Sequence, residues 1–333
     1  MEPREQSLEN RARDERVSDA RIGRLLVSVL VVTALAACSS TTASGTQTPV
    51  ISSAASAAPA TTPAPTSAAA VATLTGCPAA TSLSNLAVVA RLSGGPDDAV
   101  STPAGDVWVS EHDAGRLIHL SASGAVLQTV TDANGPEGLI ALTGGQLLVA
   151  QQNPDRIDRF DPARGTFTPW LQLESAPAGQ GVDSIHADGA SVLVPDSSGG
   201  RLLVVALLPD LGAGAQRVIA TGLGRPVDAV ALGDGSYAVA VENVPGIDRV
   251  SANGAVTPLT HTTSVDDLVV LHGLVYATQL VAYDVIAVNP ATGEQRVLVT
   301  GAPDPQGLTA DPSGRLLLAD EVRGVLAAVT SCG

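Results

Sequence analysis

The sequence predicts an all-β fold, a six-bladed β-propeller, and three observations indicate it. The 333-residue chain contains 33 glycines and 22 prolines but only 2% aromatic residues, a composition that favours short strands joined by tight turns. A segment with the same pattern recurs six times, with equivalent positions spaced 40, 46, 44, 39 and 40 residues apart. None of the copies has the apolar period of a helix.

Each copy contains a short apolar strand, a glycine-rich hairpin, a second strand that ends in polar residues, a loop and a third strand. A fourth apolar run follows in five of the six copies. The copies span residues 95–126, 135–167, 181–207, 225–256, 264–294 and 304–331. Four short antiparallel strands in each copy predict one propeller blade per copy.

The last copy ends with its third strand, and the apolar run NLAVVARL (85–92) precedes the first copy without a partner. We expect strand 85–92 to complete the last blade and close the ring, because this removes two open sheet edges.

Two of the three cysteines flank this closure. Cys77 lies just before strand 85–92, and Cys332 lies just after the third strand of the last copy. These two ends are neighbours in an antiparallel pair, so the sequence predicts a Cys77–Cys332 disulfide in an oxidising compartment. Two unpaired thiols are the alternative.

The N-terminal segment predicts export. Residues 25–37, LLVSVLVVTALAA, form a 13-residue apolar stretch after Arg24, which is the length of a signal-peptide core. The stretch ends in Leu-Ala-Ala before Cys38, which resembles a bacterial lipoprotein signal and implies lipid (palmitate) on Cys38. An ordinary cleaved signal peptide with an incidental cysteine is the alternative. We interpret residues 1–16 as a misassigned start, with Val17 as the first residue.

The domain organisation follows from these segments. Residues 1–37 are predicted to be the signal peptide, 38–76 a disordered Ser/Thr/Ala/Pro tether, and 77–333 the propeller. The tether has almost no large apolar residues and cannot offset the entropy of ordering. We therefore expect a lipid-anchored protein on the outer face of the cell membrane.

The charge distribution excludes two kinds of chemistry. All 18 basic residues are arginine, which rules out lysine-dependent catalysis. Beyond residue 37 the chain has 12 basic and 27 acidic side chains, so the body repels nucleic acid. We expect a monomer.

The copies resemble the NHL and SMP-30/gluconolactonase superfamily of six-bladed propellers over residues 83–332. The copy GPDDAVSTPAGDVWVSEHDAGRLIHLSASGAV in particular resembles the repeat of streptogramin B lyases. The resemblance implies that one residue near the start of each first strand faces the central channel: Asp97, Glu137, Asp183, Val227, Asp266 and Gln306. The next position adds Asp98, Asp228 and Asp267.

Carboxylates at this density raise one another's pKa or bind a cation. The gluconolactonase resemblance implies Ca²⁺ or Zn²⁺ held by Glu, Asn and Asp, and hard oxygen ligands favour Ca²⁺. The candidate ligands are Glu137, Asp183, Asp266 and Asp97. None of the six positions holds the asparagine of that ligand set. The alternative is that these acids cap turns and bond the backbone of neighbouring blades.

The second strands end in polar residues near a rim of the channel, and we interpret most of these as solvated. Asn153 and Asn243 are candidates for the absent amide ligand. His112 with Glu111 is a candidate acid/base pair, and His186 is expected to face the channel. The two longest inserts, 172–181 and 207–215, are the predicted specificity loops.

Two function classes follow. The first is a binding module for a small ligand or a cell-envelope protein, which requires only a rigid scaffold with variable loops. The alternative is a metal-dependent lactonase or hydrolase, which requires a complete ligand set. The sequence favours the binding module.

Overall fold

The computed structural model describes residues 73–333, except 132, 175–176, 178–179 and 245. These residues form six antiparallel sheets whose first strands contact one another in ring order, and the sixth sheet contacts the first. The predicted all-β, six-bladed propeller is confirmed.

The strands follow the six copies. Blade 1 contains β3 (Ala99–Ser101), β4 (Val107–Glu111), β5 (Arg116–Leu120) and β6 (Val126–Val130). Blade 2 contains β7 (Pro136–Ala141), β8 (Leu147–Gln152), β9 (Asp155–Asp161) and β10 (Thr166–Gln172). Blade 3 contains β11 (His186–Asp188), β12 (Ser191–Asp196), β13 (Arg201–Leu207) and β14 (Ala213–Thr221).

Blade 4 contains β15 (Pro226–Ala231), β16 (Tyr237–Val241), β17 (Gly246–Val250) and β18 (Val256–Thr260). Blade 5 contains β19 (Val265–Leu271), β20 (Leu274–Gln279), β21 (Asp284–Val288) and β22 (Gln295–Thr300). Blade 6 contains β23 (Pro305–Ala310), β24 (Leu316–Asp320) and β25 (Val325–Val329), completed by β2 (Ala87–Arg91). Short 3₁₀ turns lie at Leu74–Gly76, Leu83–Asn85 and Thr143–Gly145.

The apolar core is divided among the blade junctions. Six clusters of buried side chains each combine residues of two adjacent blades. At the junction of blades 1 and 2, Trp108 meets Phe160 edge to face, with ring centroids 5.7 Å apart. Second strands such as β4 and β8 are buried throughout because both faces pack against neighbouring blades. The ring is therefore held together by side-chain packing between sheets that do not share strands.

The N-terminal strand closes the ring as predicted. β2 pairs antiparallel with β25, with Ala87 opposite Ala328 and Arg91 opposite Val325. The predicted disulfide between Cys77 and Cys332 is also confirmed, with an S–S distance of 2.02 Å across 255 residues of sequence. The ring is therefore closed both by strand pairing between β2 and β25 and by the Cys77–Cys332 disulfide.

Two N-terminal features were not predicted. β1 (Thr81–Ser82) pairs in parallel with β22 and gives blade 5 a fifth strand. Leu74 is buried in the core cluster that contains Cys77, so apolar packing begins before Cys77. The predicted signal peptide, the predicted lipidation site Cys38 and most of the predicted tether lie outside the described residues. None of the described helices is long and apolar enough to cross a bilayer.

Candidate functional site

The candidate site lies at the end of the channel where the first strands begin and the second strands end. At this end Asp97 N–H donates to the carbonyl of Ser110, near the end of β4, at 2.9 Å. We call this end the channel mouth. It is formed by the six equivalent residues Asp97, Glu137, Asp183, Val227, Asp266 and Gln306.

The acids at the following position join adjacent blades. Asp98 accepts the N–H of Leu139 at 3.1 Å, across the junction of blades 1 and 2. Asp228 and Asp267 repeat this contact with Leu268 and Leu308, at 2.6 and 2.5 Å. The alternative that these acids bond the backbone of neighbouring blades is confirmed.

The junctions of blades 2 and 3 and of blades 3 and 4 use the backbone directly. Gly138 N–H donates to the carbonyl of Asp183 at 3.0 Å, and Ser184 N–H donates to the carbonyl of Val227 at 3.0 Å. A Cβ on Gly138 would lie 2.6 Å from the backbone of Ser184, so blade 3 approaches too closely for a side chain there. Three junctions are therefore linked through an aspartate side chain and two through backbone hydrogen bonds.

Most polar residues at the ends of the second strands are buried, so their interpretation as solvated was wrong, whereas Asn153 and Asn243 are exposed. Glu111, Gln151, Asp196, Gln279 and Asp320 are all buried. Several accept an N–H from the preceding inter-blade connection: Glu111 from Gly94 at 2.9 Å and Gln151 from Asn134 at 2.6 Å. A buried polar side chain costs free energy unless it is bonded, so these bonds satisfy Glu111 and Gln151 and fasten the connections before blades 1 and 2.

The predicted Glu111–His112 pair does not form, because Glu111 binds Arg116 through its guanidinium. Instead His112 faces the carboxylates of the channel mouth, with Nε2 3.5 Å from Glu137 Oε1. Asp113 Oδ1 lies 3.3 Å from Nδ1. Donor atoms of Asp97, His112 and Glu137 all lie within 4.8 Å of one another.

The other two candidate ligands lie outside this group. Asp183 is 3.3 Å from the guanidinium of Arg225, which also binds Glu242. Asp266 lies close enough to Asp183 and Asp97 for their charges to raise its pKa. The structure thus brings two of the four predicted ligands together with an imidazole and gives a third an arginine partner.

Burial dominates the titration of these acids. Burial, with the negative charge of Asp97, raises the pKa of Glu137 well above its ordinary value. Burial raises the pKa of Asp183 to about 6, although Arg225 opposes the rise. Burial and mutual repulsion therefore oppose the ionisation of these acids, and a bound cation would favour it.

A second group lies around His186, which faces the channel as expected. Its Nε2 is 3.2 Å from Asp228 Oδ2 and 3.7 Å from Asp267 Oδ1. Burial disfavours the protonated imidazole, but these two carboxylates outweigh that effect and raise the pKa of His186 well above its ordinary value. A protonated His186 supplies the positive charge that the two inter-blade carboxylates require.

These shifts predict that the protein without divalent cations loses stability as the pH rises. Groups whose pKa is higher in the folded protein bind more protons when folded, so the unfolding free energy falls through that window. The pKa of Asp183 is about 6, and burial raises that of Asp98 to about 7. His186 acts in the same direction at higher pH.

We expect the unfolding midpoint in EDTA to fall by at least about 5 °C between about pH 4.5 and pH 7.5, since a pKa unit corresponds to about 1.4 kcal/mol. Calorimetry across this range measures it. A midpoint that rises with pH would contradict the burial of these acids.

Several buried polar atoms near the mouth lack a partner among the described residues. They are Gln152 Oε1, Ser184 Oγ and Ser197 Oγ, on side chains at most 7% exposed. Ser197 lines a cavity of about 370 Å³ together with Arg225 and Asn243. Buried hydroxyl and amide groups without partners are costly, so a ligand or water that bonds them is favoured here.

The two predicted specificity loops lie at opposite ends of the channel. Gln180, from insert 172–181, lines the cavity at the mouth. Insert 207–215 joins the third and fourth strands of blade 3, and Leu207 N–H donates to Ala190 in the opposite hairpin. Insert 207–215 therefore lies away from the channel mouth, and its role in specificity stays a prediction.

Comparisons with known proteins show which molecules share this architecture. A streptogramin B lyase structure matches with a TM-score of 0.53 and 16% identity, covering 74% of this chain and 97% of the other. A gluconolactonase from Xanthomonas campestris matches with a TM-score of 0.59 and 13% identity, covering 73% and 88%. The chain has their fold.

A virginiamycin B lyase from Staphylococcus aureus also matches, with a TM-score of 0.52, 14% identity and coverage of 69% and 80%. No protein-family model matches the sequence. No curated protein matches it either. At these identities the likeness concerns the fold, and the activity has to be argued from the residues at the mouth.

Proposed function

We propose that this protein is a lipid-anchored propeller outside the cell membrane whose channel mouth binds a divalent cation and, with it, a small oxygen-bearing ligand. The observation that carries the proposal is the grouping of Asp97, His112 and Glu137 donor atoms within 4.8 Å. Asp97 and Glu137 are buried, so their negative charge is poorly solvated.

The donor set fits a divalent cation. Asp113 beside Nδ1 of His112 can accept its proton, which leaves Nε2 facing Glu137 as a ligand. One imidazole with two carboxylates suits Zn²⁺ as well as Ca²⁺. A bound cation would polarise an oxygen atom of the ligand. The unpartnered Ser197 hydroxyl can donate to an oxygen atom of that ligand, and the unpartnered Gln152 Oε1 can accept from a hydroxyl group of it.

Cation binding is expected to stabilise the fold. A ligand at 100 times its dissociation constant adds about 2.7 kcal/mol, which raises the unfolding midpoint of a domain of this size by about 5–10 °C. We expect this shift with millimolar Ca²⁺ or micromolar Zn²⁺ relative to EDTA, and its loss in Glu137→Gln. Differential scanning calorimetry at constant pH measures both.

Glu294→Gln, an exposed acid in the outer hairpin of blade 5, is the matched control and should keep the full shift. His112→Ala separates the two cations, because it should weaken Zn²⁺ binding more than Ca²⁺ binding. A shift that survives in Glu137→Gln, or no shift with either cation, refutes the site.

Hydrolysis of a lactone is the second candidate, and the position of Asp183 favours it. Its pKa of about 6 lets this carboxylate accept a proton from water at neutral pH, and Arg225 holds it in place. Acid release from δ-valerolactone that requires the cation and is lost in Asp183→Asn would select the enzyme. Ligand binding without turnover would select the binding module.

The lipid anchor rests on the sequence around Cys38, outside the described residues. We expect the wild-type protein in the membrane fraction of its host and Cys38→Ser in the medium. Equal partition of the two proteins would show that Cys38 is incidental, without affecting the proposal for the channel mouth.

A further inference from the structure

A larger cavity lies at the opposite end of the propeller, between blades 1 and 2. It has a volume of about 600 Å³, a size typical of small-molecule sites. We call it the hairpin groove, because its walls are the hairpins 102–106 and 142–146 and the turn at 162–163. These segments join first to second and third to fourth strands, so the groove is separate from the channel mouth.

One wall of the hairpin groove is a stack of two rings. Trp108 and His119 are cross-strand partners in blade 1, with ring centroids 4.4 Å apart and planes within 2°. Trp108 is buried behind His119, whose side chain is 21% exposed. Asp106 Oδ2 lies 3.5 Å from His119 Nε2 and holds the ring in place. The face of the His119 ring that points away from Trp108 is thus a flat surface, held in a fixed orientation, on which a planar ligand can stack.

Two polar atoms of the groove lack partners in the described part of the chain: an amide oxygen, which requires a donor, and a hydroxyl, which can accept or donate. Thr102 Oγ1 and Gln146 Oε1 are buried and have no hydrogen-bond partner among the described residues. An amide oxygen accepts only, so a ligand that satisfies Gln146 must present an N–H or O–H group. Thr143 and Gly144 line the opposite side of the groove. A Cβ on Gly144 would meet nothing within 4 Å, so this side leaves space for a ligand.

The charge of the groove limits the class of ligand further. Asp106 is its acidic residue, and no arginine or lysine occurs among the described residues that line it. The net charge of the chain is −15, so anionic ligands are repelled. From the stacking platform, the unpartnered acceptors and this charge, we propose that the hairpin groove binds a planar, neutral or cationic heteroaromatic molecule that carries N–H donors.

The chain contains only two tryptophans, which allows a direct test. In Trp170→Phe, Trp108 is the only tryptophan and reports on the groove. We expect saturable quenching of its fluorescence by 2-aminobenzimidazole or adenine. 1-Methylbenzimidazole, which lacks an N–H, should bind at least about threefold more weakly than 2-aminobenzimidazole. The substitution Gln146→Leu should weaken the binding of 2-aminobenzimidazole by about three- to tenfold, as expected for the loss of one hydrogen bond.

Gln216→Leu, an exposed glutamine on β14, is the matched control and should bind like the parent. Binding to the hairpin groove should also be unchanged in EDTA and in Glu137→Gln. A negative result for the groove is therefore distinguishable from a negative result for the cation site. Saturation-transfer NMR on the wild-type chain repeats the test if Trp170→Phe does not fold. Absence of saturable binding by all three compounds, or unchanged binding by Gln146→Leu, overturns the proposal.

Discussion

Removal of the Cys77–Cys332 disulfide is expected to lower the unfolding midpoint by about 5–15 °C. The bond joins residues 255 apart in sequence. By chain entropy such a crosslink contributes about 5 kcal/mol, and measured losses on removing native disulfides are about 2–5 kcal/mol. Cys77→Ser/Cys332→Ser, compared with the parent in a Cys38→Ser background, gives the value by calorimetry without an interfering thiol.

Without the disulfide, the strands that close the ring should lose stability before the rest of the propeller does. Hydrogen exchange should accelerate first at the amides of β2, because β2 is an outer strand that pairs only with β25 and buries only Ala90 among its five side chains. β4, at the centre of blade 1, serves as the internal control. Equal acceleration in β2 and β4 would mean that the disulfide stabilises the ring as a whole.

The fold could be predicted from the sequence because it is repetitive and local. Each copy carries its own hairpin signals, and the run 85–92 without a partner identified the closing strand. β1 could not be predicted in this way. It contains only Thr81 and Ser82, pairs in parallel across more than 200 residues and has no apolar pattern.

The site was predicted less completely, because its contacts cross blade boundaries. His112 lies in the loop of blade 1 but faces Glu137 of blade 2. Arg225 precedes the position where blade 4 holds Val227 in place of an acid, and it reaches back to Asp183. One signal was present: His112, Gln152, Ser197 and Glu242 follow equivalent strand ends, so a comparison of that position across copies would have placed them at the mouth.

The buried strand ends show the same limitation. A polar residue after an apolar strand resembles a solvated loop residue in sequence. Gln151 and Asp196 are nevertheless buried. Gln151 accepts the N–H of Asn134 in the preceding inter-blade connection, which carries no motif of its own, whereas Asp196 accepts from Gly199 and Arg201 of its own blade.

Asp228→Ala is expected to destabilise the protein by about 3–5 kcal/mol, because it removes a fully buried carboxylate with several partners. Asp228 accepts N–H groups from Ala229 and Leu268 at 2.6 Å each, and its charge supports His186. The substitution leaves both N–H groups and the imidazole without that acceptor. The free energy of unfolding in urea measures the loss.

Two measurements distinguish the loss of these specific contacts of Asp228 from a general effect of removing a negative charge. Glu294→Ala removes one exposed carboxylate of the same charge and should change the unfolding free energy by less than about 0.5 kcal/mol. In Asp228→Ala the pKa of His186, followed by NMR, should fall, because the nearer of the two carboxylates that raise it is gone. A small loss of stability together with an unchanged His186 pKa would show that the junction of blades 4 and 5 rests on apolar packing alone. A large loss with a lowered pKa would mean that one carboxylate joins two blades and sets the charge of the channel interior.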